Sequence, residues 1–398
     1  MEEKKFDLNS IIGFILIFGI LVYMMYANQP TPEELAEQEK AKQEQVQAEN
    51  KVVDQENVVV TKQEDYSSEA VKDSAAMADL NNKLGAFAYA STLPSAQNKE
   101  TLVETDVLAI KFSNKGGYVS EVRLKQFVDY DSIPIYIIKD GNAKFNINFA
   151  TTDNRILNSN DLYFEPSVSK SGDNTIVSMK LKVSPENYLE YRYELKPDDY
   201  MMDFTIRSQG LNNIINSSQE VNLDWELKAI RHAKSISYEN RYTEVVFEYE
   251  GGKDDYLGQQ EYTEDTASEV TYVAFKQHFF TSILLADTPF KTAKLESNNL
   301  VQDEEIDTVY TKAFAVKLPL EIQGGEINKN MNWYYGPSDY KILNDYARNL
   351  DEVVPLGWGI FGWINRYVFI PLFGFLSGFL PYGIAIIVMT ILVRIVMS

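Results

Sequence analysis

The residue whose surroundings most constrain its chemistry is Arg394, which lies in an apolar run near the end of the chain. Beyond Tyr382 it is the only charged side chain, and Thr390 and Ser398 are the other polar ones. An arginine at the centre of a membrane-spanning helix is unfavourable by about 2.5–3.5 kcal/mol on insertion scales. A helix retains such a charge where it faces a wet cavity or a partner, or where it reaches the membrane edge.

Helix geometry allows two interpretations of Arg394. If the helix enters the bilayer near Pro381, Arg394 lies about 20 Å deeper in a hydrocarbon slab about 30 Å thick. The guanidinium is then about 10 Å from the far edge, which a long side chain can approach by snorkelling. The spacing therefore leaves open both an anchoring charge and a functional charge in a cavity.

Residues for covalent or metal-dependent chemistry are scarce. The 398-residue chain contains no cysteine and two histidines, His232 and His278, which excludes thiolate chemistry and a multi-histidine metal site. No nucleotide-binding glycine loop, nucleophile elbow or zinc-protease motif occurs. His278 is interpreted as a hydrogen-bonded structural histidine. We predict a protein that is not an enzyme, with no catalytic residue, no metal site and no cofactor.

The chain begins with a predicted membrane anchor, which a predicted linker follows. Residues 11–27 form an uncharged stretch. This stretch is longer than the apolar core of a typical signal peptide, and no cleavage pattern follows it. We predict a retained transmembrane helix within residues 1–28, with its N-terminus in the cytoplasm because Lys4 and Lys5 precede it. Tyr23 and Tyr26 would lie at the outer interface.

Acidic residues dominate the next segment and the chain as a whole. Residues 33–73 carry 12 acidic residues against 5 lysines, and the formal net charge of the chain is -21. A segment of this composition cannot bury enough apolar surface to fold alone, so residues 29–78 are predicted to be a flexible acidic linker. The net charge disfavours direct binding of nucleic acid, because a phosphate backbone requires a basic face.

Residues 79–337 are predicted to form an all-β domain. Short alternating runs, bounded by Gly, Pro, Asn and Asp, indicate more than a dozen antiparallel strands and a sandwich of two large sheets. The predicted strands are residues 106–112, 118–124, 175–183, 188–195, 201–207, 243–250, 270–276, 279–286, 308–318 and 327–335.

The remaining residues are predicted to be helical. A short helix leaves the β domain near residue 338, with Ser338 or Asp339 as its N-cap, and continues to Leu350. Residues 357–379 contain Trp358, Trp363 and Arg366, and Pro371 interrupts them. We interpret residues 338–380 as a connecting helix followed by an amphipathic helix in the membrane interface, where tryptophan favours the headgroup level. A re-entrant helix or a buried helix is the alternative.

Residues 381–398 are predicted to form a transmembrane helix of about 27 Å. No cluster of lysine or arginine follows this span, as such anchors usually do. The helix is therefore expected to be truncated, as if the chain were cut within an element.

Several motifs, in order, resemble those of one family, the YidC membrane protein insertases. The strand turn at Gly116-Gly117, residues 272–283 and residues 335–340 resemble segments of the family's β domain. Gly357-Trp358 with the following aromatic run, and residues 390–397, resemble its interfacial helix and first core helix. The resemblance covers essentially the whole chain apart from the acidic linker.

The resemblance implies an all-β periplasmic supersandwich domain flanked by transmembrane and interfacial helices in the bacterial inner membrane. It implies that Arg394, with Thr390, lies in a hydrophilic groove through which newly made proteins enter the bilayer, and that a multi-pass core is needed. The implied partners are nascent membrane proteins, the ribosome, Sec translocon components and lipid. Two other hypotheses are a membrane-tethered carbohydrate-binding domain and an envelope scaffold domain.

Overall fold

A computed structural model describes residues 74–258 and 260–397. The predicted N-terminal transmembrane helix and most of the predicted linker lie outside these residues. Helix α1 (Ser74–Leu84) begins within the last residues of the predicted linker. Leu80 and Leu84 of α1 are buried in the hydrophobic core, so this end of the predicted linker packs with the β domain.

Strands dominate the described residues. They are β1 (Glu100–Glu104), β2 (Leu108–Ser113), β3 (Val119–Val128), β4 (Pro134–Ile138), β5 (Ala143–Ala150), β6 (Ile156–Asn158), β7 (Glu165–Ser171), β8 (Asn174–Lys182), β9 (Tyr188–Leu195), β10 (Met201–Gln209), β11 (Val221–Ile230), β12 (Thr243–Tyr249), β13 (Lys253–Leu257), β14 (Tyr262–Gln277), β15 (Phe280–Asn299), β16 (Tyr310–Leu320), β17 (Ile322–Gln323) and β18 (Glu326–Pro337).

Helices flank the strands at both ends. After α1 come α2 (Ala88–Ser91), α3 (Ile236–Arg241), α4 (Tyr340–Asp345), α5 (Gly359–Ile364), α6 (Ile370–Ser377) and α7 (Tyr382–Met397). A π-helical segment (Asn365–Phe369) joins α5 to α6, and 3₁₀ turns lie at Gly85–Phe87, Ser159–Asp161 and Leu350–Val353.

The strands form two antiparallel sheets of unequal size. The smaller has the order β1-β2-β3-β4, and the path of the larger is β6-β5-β11-β16-β15-β18-β10-β9-β8-β7, with β12, β13, β14 and β17 branching from it. The all-β fold class is confirmed. The prediction of two large sheets is wrong, because one sheet has four strands and the other has fourteen.

The large sheet folds over on itself. Phe145 on β5 lies 5.6 Å from Tyr191 on β9 and 5.7 Å from Phe204 on β10, measured between ring centroids. In a flat sheet these strands would be more than 20 Å apart, at about 4.8 Å per strand. The two halves of one sheet therefore face each other across a shared aromatic core, and the small sheet joins this core through Phe112 against Tyr193 at 4.8 Å.

The turn between β2 and β3 depends on two glycines. Gly116 and Gly117 have φ angles of 82° and 68°, a region that residues with a Cβ rarely adopt. A Cβ at Gly117 would also lie 2.6 Å from the ring of Phe164. The predicted turn is confirmed, and close packing against Phe164 adds a second requirement for glycine.

Candidate functional site

The segment that leaves the β domain begins with a capped helix. Asp339 is the N-cap of α4, and its Oδ1 accepts hydrogen bonds from the backbone N–H groups of Lys341 (2.9 Å) and Ile342 (3.0 Å). The prediction of a helix to Leu350 is wrong, because α4 ends at Asp345. Ala347 and Asn349 follow it with positive φ angles of 52° and 56°, which a right-handed helix cannot contain.

The predicted interfacial segment is more regular than its sequence suggests. Residues Gly359–Ser377 form one helix of 19 residues, which among the described residues is long and apolar enough to cross a membrane. The π-helical segment precedes Pro371, which lacks a backbone N–H and would collide with the preceding turn of an α-helix. A wider turn at this place accommodates the proline, so the expected interruption becomes a local bulge.

Aromatic side chains cover the outside of this helix. Trp358 is 82% exposed and Trp363 is 58% exposed, and Trp363 lies 5.7 Å from Tyr367. Together with the other exposed large apolar residues between residues 358 and 395, they make up what we call the apolar helical surface: Trp358, Ile360, Phe361, Trp363, Tyr367, Val368, Phe375, Phe379, Tyr382, Ile384, Ile386, Ile387, Ile391, Leu392 and Ile395. Exposed apolar surface on this scale is typical of contact with a membrane or another protein.

Arg366 connects this helix to the end of the β domain. Its Nη2 lies 2.9 Å from Glu352 Oε1 and 3.5 Å from Asp351 Oδ2. Its guanidinium also lies 5.6 Å from the ring centroid of Tyr340. The sequence identified Arg366 as an interfacial residue but missed these three partners, since nothing in the pattern placed the loop beside the helix.

Thr390 and Arg394 occupy one face of α7, four residues apart. The Thr390 hydroxyl donates to the backbone carbonyl of Ile386 (2.8 Å), so its proton is used within the helix. Arg394 is exposed, and within residues 74–258 and 260–397 no carboxylate forms an ion pair with it. The structure does not join Arg394 to Trp358, Trp363 or Arg366 by any direct interaction among the described residues.

The helix pair α6–α7 packs at its connected end. Leu376 and Ala385 are buried, and Phe373 stacks on Tyr382 with ring centroids 5.9 Å apart. Arg394 lies more than two turns beyond Ala385, away from this contact. Arg394 therefore lies far along α7 from the connection between α6 and α7.

The two histidines play different structural parts. His232 Nε2 lies 2.9 Å from the carbonyl oxygen of Tyr136, and its Nδ1 lies 3.7 Å from Glu239. The interpretation of His278 as hydrogen-bonded is wrong at Nδ1, which is buried without a partner among the described residues. The ring instead stacks on Tyr242 at 5.2 Å, and burial lowers the pKa of His278.

Comparison with known proteins decides the family. A family profile described as the YidC periplasmic domain matches residues 100–371, more than half of the chain. The chain belongs to the YidC family. The matched residues contain all of the strands from β1 to β18.

Relatives of this YidC chain extend the similarity over 98% of its length. The "Membrane protein insertase YidC" of Parabacteroides distasonis is 31% identical over 408 residues, and that of Porphyromonas gingivalis is 29% identical over 404 residues. The chain spans 62% of the length of each of these relatives.

The solved structures that match part of this chain include two kinds of protein. YidC from Thermotoga maritima is 15% identical, with a TM-score of 0.37, over 75% of this chain and 68% of that one. A galactose mutarotase related enzyme from Lactobacillus acidophilus is 9% identical, with a TM-score of 0.37, over 60% of this chain and 97% of that one.

Proposed function

We propose that this chain acts in an insertase that helps newly made proteins enter the bacterial inner membrane. The observation that carries the proposal is the YidC family match over residues 100–371, in a chain whose relatives are named membrane protein insertases. Insertion of this kind needs no covalent step, because burial of the substrate's own apolar surface in lipid drives it. The β domain is then periplasmic, the N-terminus cytoplasmic and the whole protein multi-pass.

The helix Gly359–Ser377 is proposed to lie in the membrane interface. Arg366 is about 10 Å along this helix from its start. A spanning orientation would carry Arg366, together with Asp351 and Glu352, into hydrocarbon, where charged groups are costly. An orientation parallel to the membrane leaves the ion pairs at the wet edge of the β domain, and Trp358 and Trp363 reach the headgroup level.

Depth measurements distinguish the two orientations. The chain has no cysteine, so Ile360→Cys, Tyr367→Cys and Gly374→Cys each create one labelling site at intervals of seven residues. In proteoliposomes, nitroxides at the three sites should lie at similar depth, as judged by collision with oxygen and with a water-soluble nickel chelate. A spanning helix would instead separate successive labels by about 10 Å in depth.

Two substitutions of Arg366 serve as matched variants for the depth measurement. With Arg366→Met, the nitroxide at residue 367 should move deeper, because the charge that holds the helix at the wet edge is gone. With Arg366→Lys, the depth should stay close to that of the original chain. A steady depth gradient in the original chain would contradict the interfacial orientation.

Arg394 is proposed to work in a water-containing groove. A single positive charge in a region of low dielectric attracts the acidic tail of an incoming substrate and shortens its path through hydrocarbon. The exposed position of Arg394, without an ion-pair partner among the described residues, supports this proposal over a structural ion pair. Nascent membrane proteins, the ribosome and Sec translocon components are the proposed partners.

Substitution of Arg394 tests the groove. In cells depleted of their own insertase, the protein expressed from its complete reading frame with Arg394→Ala should insert substrates with acidic tails about tenfold less well, which corresponds to about 1.4 kcal/mol. Arg394→Lys should retain most of the activity, because it keeps the charge. Insertion is read as protease protection of the translocated tail.

Leu392→Ala is the control for helix packing, because Leu392 is an exposed apolar residue of the same helix on the face opposite Arg394. This variant should insert all substrates normally. Equal insertion by Arg394→Ala across acidic-tailed and neutral-tailed substrates would identify Arg394 as a snorkelling anchor and would exclude the groove charge.

A further inference from the structure

The β domain contains a charged cavity of 620 Å³ beside the start of the apolar helical surface. One wall comes from Arg241 and Tyr242 and a second from Asp254, Asp255 and Tyr256 on β13. The linker from Glu352 to Trp358 forms the third wall, and Glu244 and Lys276 line the interior. Its volume is in the range of sites for small molecules and lipid headgroups.

An ion pair lies in the interior of the cavity. Lys276 is 3% exposed, and its Nζ lies 2.9 Å from Glu244 Oε2, so its charge is offset by that carboxylate. Arg241 lines the cavity in addition, without an ion pair to any residue in the part of the chain that the structure describes.

The opposite wall is acidic. Asp254 and Asp255 are exposed on β13, where Asp254 pairs with Glu248 of β12 in the antiparallel register. Glu248 is four residues from Glu244, so Asp254 and Glu244 lie on the same face of the two strands. Glu352, also on the rim, is already paired with Arg366. The cavity therefore presents the Arg241 guanidinium and the carboxylates of β13 on separate walls.

This separation suits a zwitterion with an anionic end and a cationic end. Continuity with Leu356 and the exposed Trp358 places the cavity next to the surface proposed to contact lipid. We infer that the cavity binds the phosphoethanolamine headgroup of a phospholipid. The phosphate faces Arg241, the ammonium faces Asp254, and the acyl chains leave past Trp358. The inference rests on the proposed membrane position of the helices.

Headgroup chemistry explains the expected selectivity. A primary ammonium donates hydrogen bonds to carboxylates, as lysine does. A choline group has no N–H to donate, and a glycerol headgroup has no positive charge to offset the acidic wall. Phosphatidylethanolamine should therefore bind more tightly than phosphatidylcholine or phosphatidylglycerol.

Calorimetry on the whole chain in detergent tests the inference. The probes are dihexanoyl phosphatidylethanolamine, phosphatidylcholine and phosphatidylglycerol, together with free glycerophosphoethanolamine and inorganic phosphate. We expect the ethanolamine lipid to bind at least about tenfold more tightly than the other two lipids. It should also bind more tightly than free glycerophosphoethanolamine or phosphate, because the acyl chains contribute.

Three variants assign the roles of the walls. Asp254→Asn with Asp255→Asn should abolish the preference for ethanolamine over choline. Arg241→Gln should lower the affinity for both lipids to the same extent. Asp131→Asn with Asp173→Asn changes two exposed carboxylates outside the cavity and should leave binding unchanged. Equal affinity for the three lipids, or an unchanged preference in the Asp254/Asp255 variant, would overturn the inference.

The same titration separates this site from the proposed function. Binding in detergent needs no substrate protein, so a negative titration counts against the lipid site alone. If Arg394→Ala did not reduce insertion, that result would count against the groove and would leave the measured lipid preference unaffected. Tighter binding of the free headgroup than of the lipid would place the ligand outside the membrane and would also overturn the inference.

Discussion

Replacement of Trp333 by alanine is expected to lower the free energy of unfolding by about 3–5 kcal/mol, the largest effect of any single change considered. Trp333 on β18 lies 4.8 Å from Trp225, 5.9 Å from Phe145 and 6.0 Å from Phe204, measured between ring centroids. These rings belong to β11, β5 and β10, so Trp333 joins both halves of the folded-over sheet. Its removal leaves a cavity where the halves meet, and urea unfolding followed by circular dichroism measures the loss.

The matched control for Trp333 is Tyr262→Ala, which removes a half-exposed aromatic side chain from β14. It should cost less than about 1 kcal/mol, as surface substitutions usually do. A loss of stability of similar size in both variants would show that the aromatic core does not hold the sheet halves together.

Replacement of Lys312 by methionine is expected to lower the free energy of unfolding by about 3 kcal/mol. The Lys312 Nζ donates hydrogen bonds to the carbonyl oxygens of Asn240 (2.8 Å), Thr243 (2.6 Å) and Gly258 (2.5 Å). Methionine fills similar space but donates nothing, so the carbonyl groups lose this donor in a buried site. Urea unfolding at pH 7 measures the change.

Lys317→Met is the control on the same strand, because the Lys317 side chain is 57% exposed and lies 3.8 Å from Asp224. It should change stability by less than about 1 kcal/mol. The pH dependence provides a second readout. Because burial lowers the pKa of Lys312 to about 8, below its value of about 10.4 in the unfolded chain, the unfolded state binds more protons between these values. The contribution of Lys312 to stability therefore rises with pH in that window, and it is absent from Lys312→Met. An identical pH dependence in both proteins would contradict the buried charge.

Much of the strand content could be predicted because the alternation of apolar and polar residues is local. The predicted strand 188–195 is the observed β9, and 201–207 lies within β10 (Met201–Gln209). The predicted strand 270–276 falls inside β14, and all but the first residue of the predicted strand 279–286 falls inside β15; both observed strands are far longer. Their outer halves are rich in Thr, Ser, Asp and Lys and lack the apolar alternation that the prediction required.

The arrangement of the sheets could not be predicted, because it depends on contacts between residues distant in the chain. Phe145 and Trp333 are almost 190 residues apart, yet their rings touch. The partners of Arg366 were missed for the same reason, since the positive φ angles of Ala347 and Asn349 turn the loop towards the helix. In contrast, the choice of Asp339 as N-cap needed only neighbouring residues.

The residue types of the candidate site could be predicted from the sequence, but their surroundings could not. Trp358, Trp363, Arg366, Thr390 and Arg394 were chosen from their residue types within apolar runs, and four of them are exposed or half-exposed on helices. Their functional roles remain predictions. The cavity beside Lys276 was missed entirely, because its walls come from three segments with no shared sequence pattern.

The large sheet has an outer strand, β7, that among the described residues pairs with β8 alone. Such a rim is a template onto which a second molecule can add a strand, and proteins commonly blunt it with proline and lysine. In β7, Pro166 has no N–H to offer and Lys170 introduces a charge, while most of the strand faces solvent. The domain is therefore built to resist lateral aggregation, which matters for a molecule that also exposes the apolar helical surface.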